Sequence, residues 1–283
     1  MNIDKVIVMD WDNCIYDAYG THHAQLHHAI SKVARDKSEE IPPLLSASLA
    51  LEQGCVSYST HDEHAPLLAM NHDAFRHYCS THASASKKSV VEDFLSCTLP
   101  KTTLHEKANL TKAILNQRDD DARAWLKQPC NQLLESTPST TAHAMLCGGA
   151  LTFLEKQRTP CNRIILISNT EQEQLDDEVR QMGVTGFFDV VSELQCAPGR
   201  RSESDAKPDP TRLLDSLSRL SISSAVPITA YGDKEHDILQ CAVLAERGRH
   251  VEGVLIAPAD PRLGTTIRLA GIPTRVVADI DGQ

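Results

Sequence analysis

Apolar positions follow two unlike patterns along this chain. An unbroken apolar run, Val6-Ile7-Val8-Met9, lies within the first ten residues. A continuous, β-branched run of this kind suits a parallel strand covered on both faces, where an alternating one would suit a half-exposed strand. Comparable runs recur late: Ile164–Ile167, Val190-Val191, Ile228–Tyr231 and Val254–Ile256, with a weaker one at Val276-Val277. Helical patterns separate them. Glu171 to Met182 is closed by Gly183, Pro210 to Leu220 opens on a proline suited to a helix start, and Glu235 to Arg247 is followed by Gly248. Strand–helix alternation from about residue 145, joined by the isolated first strand, predicts a doubly wound, mainly parallel, Rossmann-like α/β sheet.

The intervening stretch has helical periodicity instead. Leu26, Ile30 and Val33 share one spacing, as do Leu44, Leu45 and Leu49; Leu67, Leu68, Phe75 and Tyr78; Val90, Val91, Phe94 and Leu95; Leu110, Ile114 and Leu115; and Trp125, Leu126, Leu133 and Leu134. Breaks are expected at Pro42-Pro43, around Leu99-Pro100-Lys101, and along Ser136 to Thr141. The organisation expected is an α/β core domain from residues 1–17 and 143–283, with an all-helical cap domain at 18–142 that selects substrate.

Composition narrows the function classes. Of 283 residues, 41% are hydrophobic and 23% charged, which excludes a wholly disordered chain. A formal net charge of −10 lacks the basic footprint of a nucleic-acid binder. No stretch approaches the ~18 apolar residues of a membrane span. The start MNIDKVIVMD does not read as a secretory signal, and nine scattered cysteines without a CxxC pair fit a reducing compartment, so a cytoplasmic protein is expected.

In open α/β sheets ligands bind beyond the carboxyl ends of the strands. The polar residues falling there are Asp10 and Asp12 after the first strand, Ser168 and Asn169 after the second, and Asp233 with Asp237 after the fourth. Lys207-Pro208-Asp209-Pro210 precedes a helix between the third and fourth. Like charges ~4 Å apart repel by ~4 kcal/mol at an effective dielectric near 20, so gathered aspartates call for a cation or for protonation. A hard dication with oxygen ligands answers this, and Mg²⁺ fits because it keeps coordination positions for phosphate oxygens. With Mg²⁺ and Lys207 in place and one aspartate protonated, the site is neutral and can accept a phosphate dianion.

These motifs, in this order, resemble those of the haloacid dehalogenase (HAD) superfamily, whose members are mostly phosphatases. VIVMDWDNC resembles its first motif, hhhhDxDxT; IILIS its second; KPDP its lysine motif; and GDKEHD its fourth, GDxxxD. The resemblance covers residues 1–17 and about 145–260. It implies Asp10 as nucleophile forming an aspartyl-phosphate, and Asp12 as general acid and then base. Ser168 and Asn169 would bind the phosphoryl group, and Lys207 would neutralise its charge. Asp10, Asp12 (through its carbonyl), Asp233 and Asp237 would hold Mg²⁺. The implied substrate is a small phosphorylated metabolite: a nucleotide, a sugar phosphate or a phospho-acid, with the DxDN variant tilting towards nucleotides.

Three positions depart from the family pattern. Asn13 replaces the common glycine, Cys14 replaces threonine with a weaker hydrogen-bond donor, and Lys234 stands where a small residue is usual. Phosphomutase chemistry through the same intermediate is the alternative within the enzyme class. A non-catalytic binding or regulatory protein on this scaffold is the alternative outside it. Dehalogenation is disfavoured because related dehalogenases lack the second acid found at Asp12. His23 and His27, spaced i, i+4, and the His61-Asp62-Glu63-His64 run show no third convergent ligand, and Arg200-Arg201 reads as a solvated loop.

Overall fold

The computed structural model describes residues 3–52, 87–126, 146–194, 205–258 and 260–281. The expected apolar positions from Leu67 to Tyr78, Leu133 and Leu134, the 136–141 break, the histidine run at 61–64 and Arg200-Arg201 lie outside these residues. By contact the chain forms two compact units: one contains residues 3–17 and 146–281, the other 18–126.

The first unit is built on a seven-stranded sheet of order β3-β2-β1-β4-β5-β7-β6. Its strands are β1 (Lys5–Met9), β2 (Asn162–Glu171), β3 (Val190–Leu194), β4 (Ile228–Gly232), β5 (Val251–Ile256), β6 (Thr266–Leu269) and β7 (Ile272–Val277). All neighbours are parallel except β6 and β7. The apolar runs are buried on both faces, as a parallel sheet requires: Val6, Ile7, Val8 and Met9 are each 1% exposed or less. The chain leaves β1 towards β3 on one side and returns to β4 on the other, which makes the β1/β4 boundary the switch point where such sheets bind ligands.

Val6, Val8, Ile165, Ile167 and Ala230 share one apolar cluster with Leu213, Leu217, Ile238 and Leu244 from helices after β3 and β4. On the alternate side of β4, Tyr231 meets Phe153 edge-on, with ring centroids 5.0 Å apart. Three features were not evident in the sequence. A helix runs over Ala150–Gln157. The β6–β7 hairpin turns at Ala270-Gly271, both at positive φ, without the Asn-Gly signal of such turns. Finally, the expected helix 235–247 is two short helices, Glu235–Leu239 and Ala242–Glu246. Its break has a local cause: the Gln240 side-chain amide donates to the Asp237 carbonyl (2.8 Å), and the Cys241 amide donates to Ile238 instead.

The second unit is helical: α1 (Ala18–Asp36), α2 (Pro42–Glu52), α3 (Lys87–Thr98) and α4 (Leu104–Leu126). Leu26, Ile30, Val33, Leu44, Val90, Val91, Phe94, Leu95, Leu110 and Ile114 close into one core, matching the periodicity. Leu49 departs from it and is exposed. Pro42-Pro43, expected as a break, begins a helix, a position that tolerates the missing N–H. Thr103 and Glu106 form a reciprocal capping box at the start of α4. No helix among the described residues is long and apolar enough to cross a membrane. Because Phe94 is fully buried in this core, Phe94→Ala is expected to destabilise the helical unit by about 3–5 kcal/mol, read by urea denaturation.

Candidate active site

Strand register brings the acidic residues together. Met9 pairs with Leu166 on one side and Tyr231 on the other, and the Asp10 amide donates to the Tyr231 carbonyl at 3.0 Å. Asp10 therefore leaves β1 between the ends of β2 and β4. Between β2 and β3 the register shifts, so Ile167 opposes Ser192 but Glu171 opposes Leu194. Ser168, Asn169 and Thr170 occupy the resulting bulge, a device that re-aims side chains beside functional sites. The expected helix start at Glu171 moves accordingly: β2 extends to Glu171 and the next helix, α6 in chain order, spans Gln172–Gln181. The shorter helix at Ala150–Gln157 is α5, and α7 spans Thr211–Arg219.

At the centre Lys207 Nζ bridges two carboxylates, Asp10 Oδ1 and, at 2.5 Å, Asp237 Oδ1. All three side chains are buried. Burial alone would lower the lysine pKa, but the Asp10 and Asp237 charges outweigh it and hold Lys207 above its ordinary value. Asp237 Oδ2 accepts the Lys234 amide at 3.0 Å. Its approach requires a glycine at 232, because a Cβ there would collide with the Asp237 carboxylate. The Lys234 side chain is exposed, and its charge reaches Asp12 and Asp233.

The first loop is tightly folded. The amides of Ile15 and Tyr16 both donate to the Trp11 carbonyl, at 3.0 and 2.9 Å. Asn13 adopts φ +58°, a left-handed conformation that asparagine tolerates better than most residues, so it serves where glycine is common. Its side chain also donates to Asp233 Oδ2 at 3.2 Å. Asp12 receives the Thr170 hydroxyl at 3.2 Å. Trp11 is buried and donates from Nε1 to Glu178 on α6 at 2.8 Å.

Electrostatically the site is short of positive charge. Burial, then the Asp237 charge, pushes Asp10 up to about 6, with Lys207 pulling it back. Burial and the Asp10 charge push Asp12 up to about 6 as well, against the Thr170 hydrogen bond. Burial and the Asp10 and Asp237 charges push Asp233 up to about 8. Among the described residues no cationic side chain ion-pairs with Asp233. Oxygens of Asp10, Asp233 and Asp237 lie within 4.8 Å of one another, the one group of three or more potential metal ligands among the described residues. An all-oxygen, carboxylate-rich set with one carboxylate lacking a cation fits a hard divalent ion. His23 and His27 lie with rings 4.3 Å apart in α1, and no third ligand joins them among the described residues.

The structure thus brings Asp10, Asp12, Ser168, Asn169, Lys207, Asp233 and Asp237 to one sheet edge. Ser168 is buried, and its hydroxyl accepts the Thr170 amide at 3.0 Å. Asn169 is exposed but its carbonyl is already engaged: it accepts from the Lys207 amide at 3.0 Å and from Arg212 at 2.6 Å. Sequence reasoning gave no role to Thr170, Glu178 or Arg212. Only Arg212 left a trace, as a charge on the otherwise apolar stripe of α7 with Leu213 and Leu217.

No family model matches the chain, and the search of curated proteins returned no match. Solved structures do. The chain is similar to a hydrolase from Streptococcus pneumoniae TIGR4 (15% identity, 89% of this chain and 92% of that one, TM-score 0.48). It is similar to a HAD-superfamily hydrolase, subfamily IA, variant 1, from Geobacter sulfurreducens PCA (14%, 96% and 90%, TM-score 0.49). It is also similar to an L-2-haloacid dehalogenase from Xanthobacter autotrophicus (14%, 92% and 80%, TM-score 0.39). At such identities and TM-scores these likenesses carry no weight in assigning an activity.

Gly232→Ala should destabilise the protein by about 1–3 kcal/mol through collision with Asp237. Gly186→Ala, where a Cβ meets nothing within 4 Å, should change stability by less than about 0.5 kcal/mol. Guanidinium melts of the two variants check this; equal effects would remove the steric argument.

Proposed function

We propose that this chain is a HAD-superfamily phosphatase that hydrolyses a small phosphorylated metabolite with the help of Mg²⁺. The observation that carries the reading is the buried Lys207 bridging Asp10 and Asp237, with Asp12 and Asp233 beside them at the switch point of a parallel sheet. Asp10, the main-chain carbonyl of Asp12 and Asp233 are the groups assigned to hold the ion. Asp237 completes the acidic set while its oxygens hold Lys207 and the Lys234 amide. Bound there, Mg²⁺ would neutralise charge on the phosphoryl oxygens.

The protein's own residues supply the remaining chemistry. A carboxylate oxygen of Asp10, oriented by Lys207, attacks phosphorus; the new O–P bond forms as the bond from phosphorus to the ester oxygen breaks. Asp12, oriented by Thr170, gives its proton to the departing oxygen. In the second half a water attacks the aspartyl-phosphate, Asp12 takes the water's proton, and phosphate leaves with Asp10 restored. Ser168, at the β2 bulge, is assigned to the transferring oxygens. Asp12 is what favours ester hydrolysis over dehalogenation, since it supplies the proton an alcohol leaving group needs. Substrate choice is assigned to residues 18–142, inserted directly after the Asp10 loop. Free thiols at Cys14, Cys161 and Cys241 suit a cytoplasmic location.

The expected result is Mg²⁺-dependent release of p-nitrophenol from p-nitrophenyl phosphate, lost by about 10³-fold or more in Asp10→Asn. Added Mg²⁺ should also raise the melting temperature of wild type, and should raise it less in Asp233→Asn. Stabilisation by Mg²⁺ with no turnover of any ester in a panel of nucleotides, sugar phosphates and phospho-acids would replace the enzyme with a binding protein. Phosphate passed to a sugar rather than to water would replace the phosphatase with a mutase.

A further inference from the structure

Lys207 sits on the loop ahead of α7, and three donors of one buried arginine tie that loop to the end of β2. Arg212 Nε donates to the Asp205 carbonyl at 2.9 Å, Nη1 to the Ser168 carbonyl, and Nη2 to Asn169 Oδ1 at 2.6 Å. The same Asn169 oxygen accepts the main-chain amide of Lys207 itself at 3.0 Å. We propose that Arg212 and Asn169 form a clamp that positions Lys207 against Asp10, and that Asn169 serves the site through its side-chain carbonyl as part of that clamp.

The physical case rests on what each partner can do. A guanidinium offers its N–H groups in a fixed planar fork, so three bonds to three points define both the distance and the angle between the two loops. An ammonium at the same place would keep the charge but lose the fork. Arg212 is 5% exposed, held on the buried stripe of α7 with Leu213, Ser216 and Leu217, so its own position is fixed by packing. Lys207 carries a long, flexible side chain, and its Nζ must meet two carboxylates at once. Fixing its main chain at Asn169 and Asp205 removes the loop freedom that would otherwise compete with that geometry. Ser168 is included, because Nη1 holds its carbonyl; the clamp therefore sets the hydroxyl and the ammonium relative to each other. A displacement of about 1 Å at a reacting group can cost about 100-fold in rate.

The activity arm of the test rests on the phosphatase reading; the labelling arm does not. Asn169→Ala removes the shared acceptor at an exposed residue, Asn169→Asp keeps an acceptor there, and Arg212→Lys removes the fork while keeping the charge. Metal-free protein is treated with an amine-acylating reagent, and modification of Lys207 is followed by peptide mass spectrometry. Lys207 should be modified several-fold faster in Asn169→Ala and Arg212→Lys, and at the wild-type rate in Asn169→Asp. Unchanged labelling in Asn169→Ala overturns the clamp, whether or not Arg212→Lys folds. With p-nitrophenyl phosphate and Mg²⁺, each disrupting variant should lose about 10- to 100-fold in kcat. The double variant Asn169→Ala/Arg212→Lys should be no worse than the poorer single one by more than about 2-fold, because both act through one unit. Losses that multiply would overturn the proposal. Absence of wild-type turnover would count against the phosphatase reading alone, leaving the labelling to decide the clamp.

Discussion

Lys207 is an ammonium held out of water between two buried carboxylates, and the rest of the site is arranged around making that arrangement tolerable. Desolvating an ion costs several kcal/mol, which attraction to a partner repays only when the geometry is good and the remaining polar atoms are bonded. Here the requirement reaches deep into the fold. Asp10 is placed by the register of β1 between β2 and β4. Asp237 is placed by the short helix Glu235–Leu239, which can approach only because residue 232 has no side chain. The lysine comes from a loop that belongs to neither. Three separate stretches of chain must arrive together, and an error in any of them leaves a buried charge unpaired.

One cation among four carboxylates nevertheless leaves the site unbalanced. The raised values of Asp10, Asp12 and Asp233 are the form that imbalance takes: in the absence of a further cation, burial and mutual repulsion favour protons. Asp233 shows it most: burial and the Asp10 and Asp237 charges outweigh both the hydrogen bond from Asn13 and the charge of the exposed Lys234. A divalent ion held by Asp10, Asp233 and Asp237 would offset two of the surplus negative charges that protons otherwise offset.

Much of this was legible in the sequence for a simple reason. Unbroken apolar runs such as Val6–Met9 and Ile164–Ile167 can be satisfied only by strands covered on both faces, and polar residues immediately after such runs must fall on one edge of the sheet. What was not legible depended on partners far apart in the chain or on backbone geometry without a residue signal. The β2 bulge leaves no mark in IILISNTE. The β6–β7 turn is made by Ala270-Gly271, a pair that carries little turn preference at its first position. Gln240 ends a helix by a side-chain bond that competes with the ladder, which periodicity cannot register. The part Asn169 plays as acceptor for the Lys207 amide and for Arg212 joins residues 38 and 43 positions apart, which no local pattern in the sequence marks.

The departures from the family pattern in the first loop are better understood as linked than as separate losses. Cys14 removes a hydroxyl from the DxDxT position, and a buried thiol is a poor substitute as a donor. The hydroxyl that reaches Asp12 comes instead from Thr170, across the sheet on the β2 bulge. Asn13 removes the glycine that would reach positive φ freely, yet it reaches φ +58° itself and adds a donor to Asp233 that glycine could not give. Trp11, between the two aspartates, is anchored by Glu178 on α6, so this loop is held from β2, β4 and α6 as well as by its own backbone. A motif scored residue by residue would count two losses here. Counted by hydrogen bonds, Asp12 and Asp233 each have a named side-chain donor, and the placing of the two carboxylates depends on those donors and not on which residue type the pattern prefers.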